Sequence, residues 1–231
     1  MSKDQAKDEY VLESKEGSKL RFPVKGYWNT YDPAFWDIFE KYKLEKKNSP
    51  KIHEVGAGFA IASKILFSLG FKDISLSDIE DYRKGEEIKK LPFFNVDLNT
   101  DKLPFKDNEV DIILAGNLVE HLENPFHFYR ECFRTLKPGG ELIVTTVIGW
   151  NLMSRLLFLQ RNLLEGYHSK LHITFQPKDK FEYATRMFNH TKKFFDQRKE
   201  FYIFGFRIPW TFPKSERWSY RMCVVLEKPE K

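Results

Sequence analysis

Short apolar runs alternate with helical patterns between residues 50 and 148. That order predicts an α/β fold, a doubly wound and mostly parallel sheet with helices on both faces. Two observations reinforce it. A glycine pair, Gly56 and Gly58, stands between the first apolar run and the first helix, and the apolar runs are short and read as strands.

The elements follow in order. Ile52 to Val55 reads as a strand that ends in Gly-Ala-Gly. Ile61, Ile65 and Leu69 recur at i, i+4 and i+8 and give the next helix one apolar stripe, which Gly70 ends. Asp73 to Ser77 and Phe93 to Val96 read as the second and third strands. Val110 to Ala115, apolar except for Asp111, reads as a buried fourth. Asn124 and Pro125 supply a cap and a first residue for a helix lined by Phe126, Tyr129, Phe133 and Leu136. Lys137-Pro-Gly-Gly140 reads as a turn, and Leu142 to Val147 as the fifth strand. Phe201 to Ile208 and Tyr220 to Leu226 read as a terminal antiparallel pair at the sheet edge. The domain plan has a polar, flexible segment 1–22 and one domain over 23–231. Within that domain, 23–48 is a helical cover, 49–148 the core, 149–198 a helical insert or lid, and 199–231 the hairpin.

Composition excludes several classes. Hydrophobic residues are 42% and charged residues 31%, so a packed core is available. No apolar run is long enough to cross a bilayer, and the first residues lack the apolar stretch of a secretory signal. Cys132 and Cys223 are the two cysteines, read as reduced thiols of a cytoplasmic protein. The net charge of +5 arises from 38 basic and 33 acidic residues, a mixed surface that does not point to nucleic acid.

The candidate site begins at Glu54-Val-Gly56-Ala57-Gly58-Phe-Ala60. The glycines allow a tight turn and a close approach of ligand to backbone. A dinucleotide fingerprint would want a third glycine at position 61, where this chain has Ile61. The carboxylate before the glycines suits an ammonium group rather than a phosphate, although a turn without a ligand would look the same. Asp78 ends the second strand, where a carboxylate can accept both hydroxyls of a ribose; its alternative is a turn Asp. Asp97 follows the third strand. Its carboxylate beside the Leu98 amide matches an adenine edge, the amine to oxygen and the ring nitrogen to N–H; its alternative is an ordinary loop carboxylate.

Glu54-Val-Gly-Ala-Gly58, Asp78, Asp97-Leu98, Leu103-Pro-Phe105, Asp111-Ile-Ile-Leu114, Glu120-His-Leu122 and Leu136-Lys-Pro-Gly-Gly140 together resemble the class I S-adenosylmethionine-dependent methyltransferases. Among these, the chain most resembles the small-molecule group that includes the quinone-biosynthesis enzymes. The resemblance implies a Rossmann-like, seven-stranded sheet with the last strand antiparallel. It implies S-adenosyl-L-methionine as cofactor and S-adenosyl-L-homocysteine as product. It places Glu54, Gly56 and Gly58 at the methionine moiety, Asp78 at the ribose, and Asp97 and Leu98 at the adenine, with Ala57 and Ile79 among the cofactor-binding residues. Asn117 is implied to close over the methionine end. The chain departs from the commonest pattern at Ala60, where many members have Gly.

On the acceptor side, His121 is a candidate general base for a hydroxyl nucleophile. A structural imidazole at a helix start is its alternative, and Glu120 reads as a packing or capping residue. The insert should choose the acceptor. Its stretch from Trp150 to Leu164 reads as an apolar helix, either a lid or a surface for a lipid-like substrate or a membrane. His168 and His172 lie four apart, yet Lys170 to Phe175 has the pattern of a strand or loop, so no metal is assigned. His172-Ile-Thr-Phe-Gln-Pro177 resembles a segment that borders the active site in members acting on glycans and other small metabolites, so His172 is a second candidate. The expected reaction is methyl transfer to an O, N or C atom of a small molecule. An RNA or protein acceptor, or a non-catalytic cofactor-binding scaffold, stays open, as does the oligomeric state. Amino-methylation of DNA is disfavoured, because Gly116-Asn-Leu-Val-Glu replaces the proline-rich motif of those enzymes. No Pro-Cys pair is present for cytosine C5 chemistry.

Overall fold

A computed structural model describes residues 10–13, 19–22, 49–148, 177–195, 201–203, 206–208, 213, 215–219 and 221–230. Its centre is a seven-stranded sheet in the order β5-β4-β3-β6-β7-β11-β8. The strands are β3 (Ile52–Val55), β4 (Ile74–Asp78), β5 (Phe93–Asn95), β6 (Val110–Gly116), β7 (Leu136–Val147), β8 (Asn189–Phe195) and β11 (Arg221–Glu227). Strands β5, β4, β3, β6 and β7 run parallel to one another. The last strand, β11, is inserted antiparallel between β7 and β8. This is the expected Rossmann-like α/β architecture.

Alternation along the central strands builds two cores. Ile112 and Leu114 face one side of β6 and pack with Ile65 and Leu66 of α1 (Ile61–Ser68). Ile113 and Ala115 face the other side and pack with Phe128, Tyr129 and Cys132 of α3 (Pro125–Thr135) and Phe181 of α4 (Lys178–Ala184). A short helix α2 (Glu86–Lys89) precedes β5. Every parallel strand therefore points its C-terminal end toward the same rim of the sheet, which is where ligands bind in this architecture.

The helix ends follow from local chemistry. Helix α1 closes with the Gly70 amide on Phe67 O and the Phe71 amide on Leu66 O, with Gly70 at a φ of +90°. At the start of α3 the Asn124 side chain accepts from the His127 amide at 3.2 Å, and Pro125 follows it, as the sequence predicts. The far end of α3 is capped from the last strand. Lys228 Nζ donates to Phe133 O and Leu136 O at 2.7 and 2.8 Å, where a cation also meets the negative end of the helix dipole.

Four differences from the sequence expectation have physical causes. Lys137–Gly140 does turn, but inside β7: Leu136 pairs with Val110 and Glu141 with Ile112, so 137–140 bulge out of one continuous strand. The bulge persists because Gly139 donates to Lys228 O and Gly140 O accepts from the Lys228 amide. Secondly, β11 does not pair with the 201–208 run. Its partners are β7 and β8, while β9 (Phe201–Ile203) and β10 (Phe206–Ile208) pair with each other. Thirdly, the sequence expectation of a helical insert or lid over 149–198 takes in residues 189–195, which form strand β8; Asn189-His-Thr-Lys-Lys is polar on both faces. Such a sequence suits an exposed sheet edge, where charge discourages further pairing. Lastly, the segment expected to be flexible contains two paired strands, β1 (Tyr10–Glu13) and β2 (Lys19–Phe22). The expected cover 23–48 and the apolar helix from Trp150 to Leu164 lie outside the described residues.

A Cβ added at Gly140 would lie 2.8 Å from Lys137 O and 3.1 Å from Asp111 O, both backbone atoms. Gly140→Ala should therefore cost about 1–3 kcal/mol of stability by overpacking the bulge. Urea unfolding checks this, and an unchanged midpoint would show that the bulge yields freely.

Candidate functional site

The site is assembled from four strand tips. After β3, Gly56 and Gly58 take φ values of +58° and +50°, a left-handed conformation that favours glycine. A side chain at Gly56 would collide with Leu118 Cδ1 at 2.5 Å, so the glycine turn is packed directly beneath the segment that follows β6. At Gly58 an added Cβ would meet nothing within 4 Å, so this face of the turn is open. Ala57 donates to Ser77 O of β4 at 3.1 Å.

Asp78 closes the same corner from β4. Its Oδ2 accepts from the Gly58 amide at 2.8 Å and its Oδ1 from the Ile79 amide at 2.7 Å. Each oxygen keeps a further lone pair, so the carboxylate is fixed in orientation yet able to accept again. Beside it Ile79 is 60% exposed, an uncovered apolar side chain at the strand tip. Asn95 Nδ2 donates to Ile79 O, and the Val96 amide donates to Asp78 O, tying β5 to the same corner. Asp97 and the buried Leu98 follow directly. The Arg83 guanidinium, buried on Asp81, Ile88 O and Leu91 O, organises the loop between β4 and β5.

Glu54 has a local task that its position did not reveal. The residue before α1 is Ala60, held at a φ of +56° and without a side chain to cap the helix. Glu54 Oε2 supplies the missing acceptor, taking the Ser63 amide at 2.9 Å. The carboxyl is buried, and burial pushes its pKa up from 4.5 to about 7, against the opposing pull of the Ser63 and Ala62 amides and the Lys64 charge. Next to it His53 bridges Ser75 and Ser77 on β4, each at 2.9 Å. Burial holds that imidazole down at about 3, so it is neutral and structural.

Asn117, Glu120 and His121 follow β6. Asn117 takes a positive φ of +48°, and its amide donates to Thr145 O at 2.9 Å and Thr145 Oγ1 at 3.0 Å. Its Oδ1 is buried without a hydrogen-bond partner among the described residues. A short 3-10 helix, Val119–His121, then brings His121 to the same rim, half-buried. Glu120 points inward, accepting from Thr146 Oγ1 at 3.0 Å, and burial raises its pKa. It braces the turn that carries His121, in line with its reading as a packing residue.

Residues 54, 56–58, 78–79, 97–98, 117 and 121 thus share the C-terminal rim of β3, β4, β5 and β6. His172, the second acceptor-side candidate, lies outside the described residues. Leu118, Thr145, Ser63 and Asn99 also build the rim, yet none belongs to a local sequence pattern. Their contacts join residues far apart in the chain.

Residues 53–144 match a family described as a methyltransferase domain. That match spans less than half of the chain and carries the methyltransferase-domain pattern. Relatives of the chain include an uncharacterized methyltransferase of Mycobacterium tuberculosis, 30% identical over 41% of this chain and 37% of the relative. An uncharacterized protein of Methanocaldococcus jannaschii is 30% identical over 57% of this chain and 54% of its own length. The chain therefore spans about a third to a half of these relatives. Among solved structures, a SAM-dependent methyltransferase of Methanosarcina mazei superposes with a TM-score of 0.58 at 14% identity, covering 82% of this chain and 99% of the other. The [4+2]-cyclase SpnF gives 0.56, also at 14%, covering 89% and 84%. Such distant likeness shows the fold alone, and the site has to supply the chemistry.

Glu54 yields a prediction with a definite sign. Its pKa is higher folded than unfolded, so between about 4.5 and 7 the folded chain holds the extra proton and stability falls as pH rises. Glu54→Gln keeps an acceptor for Ser63 but cannot ionise. Urea unfolding across that window should show the wild type losing stability relative to the variant, on the order of 3 kcal/mol by pH 7. Parallel pH curves would contradict the assignment.

Proposed function

We propose that the chain transfers a methyl group from S-adenosyl-L-methionine to an O, N or C atom of a small-molecule acceptor. The observation that carries this reading is the convergence of the Asp78 carboxylate, the open glycine turn and Asp97 on one rim, with Gly58 and Asp78 hydrogen-bonded to each other. The residues fit the cofactor on their own chemistry. Asp78 has acceptor capacity for a ribose diol, and the exposed Ile79 offers an apolar face to the base. The Asn117 Oδ1, buried after β6 without a partner among the described residues, can accept from an ammonium group.

The cofactor supplies a methyl group already activated on a sulfonium. The chain has to hold that group in line with the acceptor and exclude water, and such positioning is worth roughly 7–11 kcal/mol. In this reading Gly56, Ala57 and Gly58 let the methionine end approach the backbone, Glu54 and Asn117 meet its charged groups, and Asp97 with the Leu98 amide recognises the adenine. His121, at the end of the 3-10 turn after β6, is the group that would take the proton of an acceptor hydroxyl on its imidazole. His172 is proposed to border the acceptor from the insert. Among the described residues no group of His, Cys, Asp or Glu could hold a metal ion, and no helix is long and apolar enough to cross a membrane.

Loss of the ribose contacts in Asp78→Ala should weaken S-adenosylhomocysteine binding by about 10- to 100-fold, the worth of charge-assisted hydrogen bonds. Calorimetry on both proteins tests it; unchanged affinity would remove the ribose assignment. Incubation of cell extract with isotopically labelled methyl donor, followed by mass spectrometry, should yield a labelled small metabolite. Label in RNA or protein would overturn the small-molecule reading, and binding without any transfer would favour the scaffold.

A further inference from the structure

Asn99 belongs to no motif, yet its side chain joins the two halves of the rim. Its Nδ2 and its backbone amide both donate to Asp97 Oδ1, at 3.0 and 2.9 Å. Its Oδ1 accepts from the amides of Glu123 and Asn124, at 2.9 and 3.1 Å. Asn124 Nδ2 returns to Asn99 O at 3.4 Å, and the Asn124 carboxamide then caps α3 at His127. His127 Nε2 is 2.8 Å from Asp101 O, and Asp101 Oδ2 accepts the Asp97 amide at 2.9 Å, closing the circuit.

Two consequences follow from this geometry. With Asp97 Oδ1 taken by Asn99, the carboxylate cannot rotate freely, and Oδ2 is the oxygen left to meet a ligand donor. At the other end, Glu123 and Asn124 lie just past Leu122, the residue that ends the 3-10 turn carrying His121. One carboxamide, with its donor on one loop and its acceptor on the other, therefore fixes both the adenine-side carboxylate and the exit of the acceptor-side segment.

We infer that Asn99 is a positioning residue, aiming Asp97 at the adenine amine and coupling occupancy of the nucleoside site to the placement of the 119–124 segment. The inference rests on the cofactor reading proposed above and deepens it, because it assigns base discrimination to a residue outside the direct contacts. A carboxylate tethered on one oxygen presents a single acceptor in a set direction. An adenine amine satisfies that acceptor, and a hypoxanthine carbonyl repels it.

The experiment compares calorimetric affinities for S-adenosylhomocysteine and S-inosylhomocysteine. It adds amide hydrogen exchange at Glu123 and Asn124 with and without S-adenosylhomocysteine. The wild type should prefer the adenine compound by about tenfold or more, and binding should slow exchange at both amides. Asn99→Asp keeps an acceptor for those amides but loses the side-chain donor to Asp97, leaving only the backbone amide on Oδ1, and its charge repels the carboxylate. Its base preference should fall to about threefold or less, and S-adenosylhomocysteine should no longer slow exchange, while basal protection stays. Asn99→Ala should lose the preference and the basal protection together. A merely structural role would weaken both ligands equally and leave their ratio alone. Either the preference or the ligand-dependent slowing surviving in both variants would overturn the inference. Wild-type protein that binds neither compound would instead remove the cofactor reading beneath it.

Discussion

The pair of hydrogen bonds from the Gly58 and Ile79 amides to the Asp78 carboxylate holds the rest of the site in place. Parallel strands bring their tips to one rim but do not define what the loops between them do. The carboxylate supplies that definition. It pins the glycine turn of one strand to the end of the next, and the Val96 amide on Asp78 O extends the same corner to a third. Two backbone donors per carboxylate leave it oriented without exhausting its capacity. A free carboxylate would have to lose rotamer freedom when a ligand arrives; here much of that cost is met on folding.

A second constraint lies below the rim. Helix α1 begins at an alanine in a left-handed conformation, without a capping side chain, so its first amides need an acceptor from elsewhere. Glu54 provides it from within the sheet. The burial that results raises the carboxyl pKa toward neutrality, which makes this group responsive to any cation placed above it. One residue thus supports the helix start and tunes the electrostatics of the turn. Glu120 does comparable work after β6, where its hydrogen bond to Thr146 anchors the turn bearing His121.

Much of this was legible in the sequence where local chemistry leaves few choices. Gly56 and Gly58 are required by their backbone angles, Asn124 and Pro125 by the helix start, and Asp78 by the need for an acceptor at a strand tip. Legibility stopped where contacts are long in sequence. Nothing near Asn99 marks it as the partner of residues 24 and 25 positions later, and Leu118 is tied to Gly56 only by packing. The capping task of Glu54 was hidden because it answers a deficiency at Ala60. Strand β8 escaped because an edge strand need not alternate. The sequence places a turn at Lys137–Gly140, whereas the structure has a bulge inside β7 there, because its partner, Lys228, lies far along the chain.

The fold accommodates more than one chemistry, so the central claim concerns convergence rather than architecture. Amide chemical-shift mapping with S-adenosylhomocysteine tests it most directly. The account predicts saturable shifts concentrated at Gly56 to Gly58, Asp78, Ile79, Asp97, Leu98 and Asn117, with the edge strand β8 unmoved. Shifts scattered over other faces, or none at millimolar ligand, would contradict it.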